Sequence, residues 1–225
     1  LDDDVYEPWV TVELPRRFEP GERFVVELAY EGELLQYLND GRTYVLKDSL
    51  SWLPRHLHTR GTPGGRTNLT YRVPERFSVA SGSTLVDEEV IDGTRVMRWV
   101  SNDPVTSMSF NFGRFNVTEA EYDGPTEITV YGDSNRRGFA PGNRVKTIAD
   151  LTGALDTFTD YFGPYPFDSL LVTETPTYNG LAFPGLVLLS FQAFGELHTG
   201  ESELFRAHEL AHQWWGIAIE FKDYR

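Results

Sequence analysis

The chain has 225 residues, 20 Lys and Arg against 34 Asp and Glu for a formal net charge of −14, 40% hydrophobic and 14% aromatic residues, and no cysteine. The acidity argues against a nucleic-acid partner, which needs a basic face, and the apolar and aromatic content argues against disorder. The missing cysteines exclude a disulfide scaffold, a thiolate nucleophile and a thiolate zinc ligand. The length allows one large or two small domains, and no apolar run approaches a membrane span.

Strand patterns dominate up to about residue 137. Phe24, Val26, Leu28 and Tyr30 alternate with other residues, as a half-buried strand requires. Residues 60–66, RGTPGGR, read as a loop. Between Val90 and Val96, Asp92-Gly93 separates two β-branched runs and predicts a hairpin. Met108, Phe110 and Phe112 alternate before Gly113, and Ile128 and Val130 do the same. Together these runs predict an antiparallel β-sandwich or saddle-like sheet over residues 1–137. His56 and His58 flank Leu57; surface or packing histidines are the plain reading of that pair, and a second metal site is the other.

A polar link over 133–138 is followed by a change of period. Val145, Ile148, Leu151, Leu155, Phe158 and Phe162 recur every three to four residues and predict an amphipathic helix, with Pro141 near its start and Gly163-Pro164 ending it. Leu170 to Thr173 and Leu186 to Leu189 read as strands. The fold class expected is therefore α+β, with a second domain over 138–225.

His208-Glu209-Leu210-Ala211-His212 carries the chemistry. Four residues make little more than one helical turn, so both imidazoles project from one face. Two imidazoles so placed can bind one Zn²⁺, and the carboxylate of Glu209 lies within reach of a water that the ion activates. The spacing predicts a zinc peptidase, with a structural or lapsed site as the alternative. Leu204, Phe205, Leu210, Ala211 and Trp215 supply the apolar content of a buried helix, Glu201 and Glu203 suit its first turn, and Gly216 is a plausible stop.

The segment His208 to Gly216, HELAHQWWG, resembles the zinc-binding segment of the M1 family of metallopeptidases, the gluzincin aminopeptidases. Tyr161 to Leu170, YFGPYPFDSL, looks like the family's lead into the first strand of its catalytic domain. Tyr178 to Ser190, YNGLAFPGLVLLS, falls where the family carries its substrate-binding strand, often written G-x-M-E-N. Trp52-Leu53-Pro54 and the run from Arg98-Trp99 through Pro104 and Ser109-Phe110 to Gly113 resemble the N-terminal β domain. The resemblance implies a thermolysin-like α/β catalytic domain, of which 138–225 would be the first part. It implies one Zn²⁺ held by His208 and His212, Glu209 as general base, and Asn179, Gly180, Leu181, Ala182 and Phe183 as the strand that binds a peptide substrate. A continuous strand over Leu181–Leu189 would border the active cleft and pair with an extended peptide.

Two departures bear on what this implies. The position of the family's glutamate, which binds the substrate's free amine, is occupied by Ala182, which carries neither charge nor acceptor. Aminopeptidase specificity is thereby separated from hydrolytic chemistry. Glu174 could substitute; a solvated carboxylate at a strand end is the plainer reading. The family's third zinc ligand, a glutamate on the next helix, lies further on than the 13 residues (225 − 212) that follow His212. Glu220 reads as a surface carboxylate. The chain is therefore expected to be a fragment cut inside the catalytic domain, and zinc binding by it alone to be weak. The sequence points to zinc-dependent peptide hydrolysis, with a lapsed pseudopeptidase serving as scaffold or binding module as the alternative.

Overall fold

The computed structural model describes residues 11–38, 42–47, 52–54, 64–133, 141–175, 179–194 and 200–219. His56, His58, Tyr178 and Glu220 lie outside the described residues, as does most of the 60–66 loop. In chain order the described strands are β1 (Leu35–Leu38), β2 (Thr43–Leu46), β3 (Asn68–Pro74), β4 (Ser78–Ser81), β5 (Thr84–Ile91), β6 (Thr94–Val100), β7 (Phe110–Gly113), β8 (Asn116–Glu119) and β9 (Glu127–Gly132). Helix α1 (Pro141–Phe162), strands β10 (Ser169–Thr175), β11 (Leu181–Phe183) and β12 (Leu186–Ser190), and helix α2 (Glu201–Ala211) follow. The architecture is α+β.

Two antiparallel sheets, ordered β1-β2-β7-β4 and β3-β6-β5, form a sandwich that takes in the runs at 90–96 and 108–112, whereas Ile128 and Val130, expected in the same sandwich, lie in β9 of a third sheet. Val73, Met97 and Trp99 from one pack with Val79, Phe110 and Phe112 from the other. The hairpin at Asp92-Gly93 forms as expected, with φ of 48° and 74° at the two turn residues, the left-handed pair that a two-residue turn of matching twist requires. The run from Phe24 to Tyr30 is a correction. It makes no strand, and Phe24, Val26, Leu28 and Tyr30 are all exposed. Alternation stabilises a strand only through a sheet that pairs it and covers one face, and this segment joins no ladder among the described residues.

The third sheet, ordered β11-β12-β10-β9-β8, positions the site. β9, β10 and β12 run parallel, while β8 and β11 are antiparallel edges. Hydrogen bonds between β9 and β10 thus join residues 127–131 to 169–173, across the change of period near residue 137. The sheet is apolar on both faces. Leu171, Leu186 and Leu188 turn toward the sandwich core. Leu170, Val172, Val187 and Leu189 turn the other way, onto Leu151 and Leu155 of α1 and Leu210 of α2. Strand side chains alternate in direction, so near-continuous apolar runs in β10 and β12 are what a doubly covered sheet demands.

The stretch Leu181–Leu189, expected as one strand, is a tight hairpin. β11 and β12 pair antiparallel from Leu181↔Leu188 to Phe183↔Leu186, joined by Pro184-Gly185. Proline presets the first turn position, and Gly185, at φ 69°, supplies the left-handed second one.

Helix α1 begins at Pro141 and ends before Gly163, which is left-handed at φ 94° and donates its N–H to the Thr159 carbonyl. Leu151 and Leu155 are fully buried, but Val145, expected on the same face, is 67% exposed. At 100° per residue it lies about 120° round the helix from Leu151. Leu155→Ala should therefore cost about 2–5 kcal/mol in urea denaturation, whereas Val145→Ala should change stability by no more than about 0.5 kcal/mol. Equal effects would contradict this placement of α1.

Candidate active site

Helix α2 follows Gly200, whose φ of 89° turns the chain into it, and carries Glu201 and Glu203 in its first turn, where they favour the positive end of the dipole. Its buried residues, Ser202, Arg206, Glu209 and Leu210, follow the spacing of one inward stripe. The Arg206 side chain is wholly buried; its Nε donates to the Ala193 carbonyl and its guanidinium pairs with Asp150 of α1. Lys146 of α1 bonds Glu203 at 2.6 Å, a second tie between the helices. Helix hydrogen bonding tightens at His212, and the left-handed Gly216 (φ 97°) sits in the turn beyond, so the stop comes earlier than the glycine suggests.

His208 and His212 stand side by side at the margin of the buried stripe, their ring centroids 4.8 Å apart and their planes at 83°. His212 Nδ1 lies 3.2 Å from the Trp215 carbonyl. A carbonyl can only accept, so Nδ1 donates there, and Nε2 is the nitrogen left to face a metal. Two imidazoles suit zinc's preference for nitrogen donors, but a catalytic zinc normally takes three protein ligands. Among the described residues no cluster of three His, Asp or Glu side chains could hold a metal ion.

Glu209, between the two histidines, points inward and is 5% exposed. Burial raises its carboxyl above the ordinary range, and the neighbouring His212 and His208 oppose that rise. The covering element is the strand expected to bind substrate. A β-carbon at Gly180 would collide with the Glu209 carboxylate, so glycine is what lets the backbone lie against it. Asn179 is exposed at the bend before β11. Leu181 is exposed and Ala182 half-buried, whereas Phe183 is buried in the sandwich core. Ala182 pairs with Val187 of the helix-side core, which places it on the face of the sheet that α2 covers. β11 is the edge of its sheet, with one side unpaired among the described residues.

Glu174 is not a solvated carboxylate. It is 2% exposed, and its Oε2 accepts the backbone N–H of Asp133, which in turn pairs with Arg42 at 2.7 and 2.8 Å. β10 is covered on both faces, which buries Glu174 whichever way it points, and in line with Leu170 and Val172 it falls on the helix-side face. Gln213, which sequence reasoning passed over, is fully buried and bonds to Gly185, Phe183 and Tyr165. The signal available was an amide placed between the motif's second histidine and a tryptophan.

No family model matches the chain. Aminopeptidase M1-B of Oryza sativa subsp. japonica is 30% identical over 167 residues, covering 67% of this chain and 18% of the relative. Aminopeptidase M1 of Arabidopsis thaliana is 26% identical over the same length and shares of each chain. The chain thus spans 18% of the length of the curated relatives it matches. In fold it is similar to the M1 zinc metallopeptidase of Deinococcus radiodurans, with a TM-score of 0.62 at 20% identity over 84% of this chain and 43% of that one. A variant of that enzyme solved with a Tyr-Ser-Ala substrate gives 0.63 at 19% identity over the same shares. The chain is M1-aminopeptidase-like, in sequence to the plant proteins and in fold to the bacterial one.

The position of Glu209 has a consequence for stability. A carboxyl raised in the folded state loses stability as pH rises through its titration, relative to a neutral side chain there. In metal-free protein, Glu209→Gln should melt higher than wild type near pH 7, and the gap should close on acidification below about pH 4.3, where both states are protonated. Calorimetric scans across this range check it; a gap independent of pH would contradict the burial of the charge.

Proposed function

We propose that the protein acts in zinc-dependent hydrolysis of peptide bonds. The observation that carries this reading is the convergence of three groups: paired imidazoles on one helix face, a buried carboxylate between them, and Gly180 laid against that carboxylate at the entry to an edge strand with one side unpaired among the described residues. His208 and His212 would hold the ion, with a third donor from outside the described residues. Bound zinc supplies Lewis acidity to the scissile carbonyl and to water. Glu209 takes a proton from the attacking water and delivers it to the departing amine. Its raised pKa suits both roles, because burial makes the carboxylate a stronger base than a solvated one. Backbone groups of residues 179–182 pair with an extended peptide and hold its carbonyl over the helix. The buried Phe183 contributes packing.

A second reading, a lapsed peptidase that binds without cleaving, draws on Ala182. On the helix-facing side of β11, where a carboxylate would meet a substrate ammonium group, there is a methyl. Intact His208, Glu209 and His212 favour the catalytic reading.

In the catalytic reading, His208→Ala of the full-length protein loses zinc as measured by elemental analysis, and Glu209→Gln of the full-length protein keeps it while peptide hydrolysis falls by about two to four orders of magnitude. Equal zinc in wild type and His208→Ala would remove the ligand assignment, and near-normal turnover in Glu209→Gln would remove the base.

Ala182 makes a separate prediction. A charge-assisted hydrogen bond to a free amine contributes roughly 1.5–3 kcal/mol. Without it, a peptide and its N-acetylated form should be cleaved at rates within about a hundredfold of each other. A larger preference for the free amine would show that another carboxylate takes the part.

A further inference from the structure

Gln213 follows the second histidine directly and is 0% exposed. A buried primary amide is costly unless its donors and acceptor are met. Its Oε1 accepts the Gly185 N–H at 3.0 Å and the Tyr165 hydroxyl at 3.2 Å, while its Nε2 donates to the Phe183 carbonyl at 3.1 Å. The orientation of the amide is unambiguous, because a carbonyl cannot donate and a backbone N–H cannot accept. Phe183 and Gly185 stand on either side of the hairpin tip, so one side chain grips both arms of the β11–β12 turn.

The other side of the tip is fixed as well. The Gly185 carbonyl accepts the Leu171 N–H at 2.9 Å. Gly82 lies so close that a β-carbon there would come within 2.6 Å of the Pro184 carbonyl oxygen. Gln213 itself is rigid, since its N–H bonds to the Leu210 carbonyl at 3.0 Å, and the next residue, Trp214, donates its ring N–H to Gly163. His212 is held within the same turn through Trp215. The three segments 161–170, 178–190 and 208–216 therefore meet at one amide.

We propose that Gln213 is a positioning residue that pins the tip of the β11–β12 hairpin to the helix bearing His208, Glu209 and His212, keeping the peptide-docking edge in one register across the reacting groups. The docking part rests on the peptidase reading above; the pinning does not. β11 is three residues long and makes only the ladder with β12 among the described residues. The placement of β11, and of Gly180 before it on Glu209, thus depends on how the tip is anchored. Tyr165→Phe is the informative control, because it removes one bond to the same amide without touching either arm of the hairpin.

The test compares, in the full-length protein loaded with zinc, wild type, Gln213→Met, which keeps the length without polar atoms, and Tyr165→Phe. Amide exchange at Gly185 and in β11 should speed about tenfold or more in Gln213→Met, as loss of two hydrogen bonds implies, with Val172 in β10 unchanged. KM for an extended peptide should rise by about tenfold, with kcat and zinc content little altered. Tyr165→Phe should show neither change. If Gln213→Met does not fold, Gln213→Asn serves, one methylene too short to reach both arms. Unchanged exchange at Gly185, or the same KM shift in Tyr165→Phe, would overturn the proposal. If wild type hydrolyses no peptide, the peptidase reading fails, while the exchange measurement still decides whether Gln213 pins the hairpin.

Discussion

A sheet apolar on both faces must be covered twice, and that requirement organises this molecule. In β10 and β12 consecutive leucines and valines point alternately to opposite sides. One set completes the core of the β-sandwich and the other receives α1 and α2. Burying them is favourable by about 25 cal/mol per Å² of apolar surface, a term that acts on both faces at once. The histidine-bearing helix is thereby seated over the edge of the sheet, at the end where the β11–β12 hairpin emerges. The sandwich core takes in Phe183 of the hairpin and so helps to place the candidate site.

The charges within this frame are arranged with opposite demands. Arg206 is buried and needs Asp150 and the Ala193 carbonyl, because an uncompensated buried cation would be strongly destabilising. Glu209 is buried with only the partial support of two imidazoles, so its carboxylate form is disfavoured. A group left in that condition is a reactive one, and titratable residues so perturbed cluster at functional sites. The two lie three positions apart on α2. Arg206 fastens the helix, while Glu209 is held ready at the strand edge.

Much of this was legible in the sequence. Local signals acted locally: Asp92-Gly93 formed its turn, Pro141 and Gly163 bounded α1, and the spacing of His208 and His212 put both rings on one helix face. Signals that depend on a distant partner failed. Phe24 to Tyr30 alternates yet joins no ladder among the described residues, Val145 has helical spacing yet lies off the buried face, and Glu174 is polar yet buried in a strand covered on both faces.

The sequence by itself determined the helix with its two imidazoles and its carboxylate, since those relations are set by 3.6 residues per turn within one element. It also determined the α+β class, because hydrophobic period is written residue by residue. Only the tertiary structure decided that Gly180 lies on Glu209 and that Gln213 grips both arms of the β11–β12 hairpin. Each of these contacts joins residues about thirty positions apart, and such contacts follow from how a whole sheet is covered, which no local pattern records.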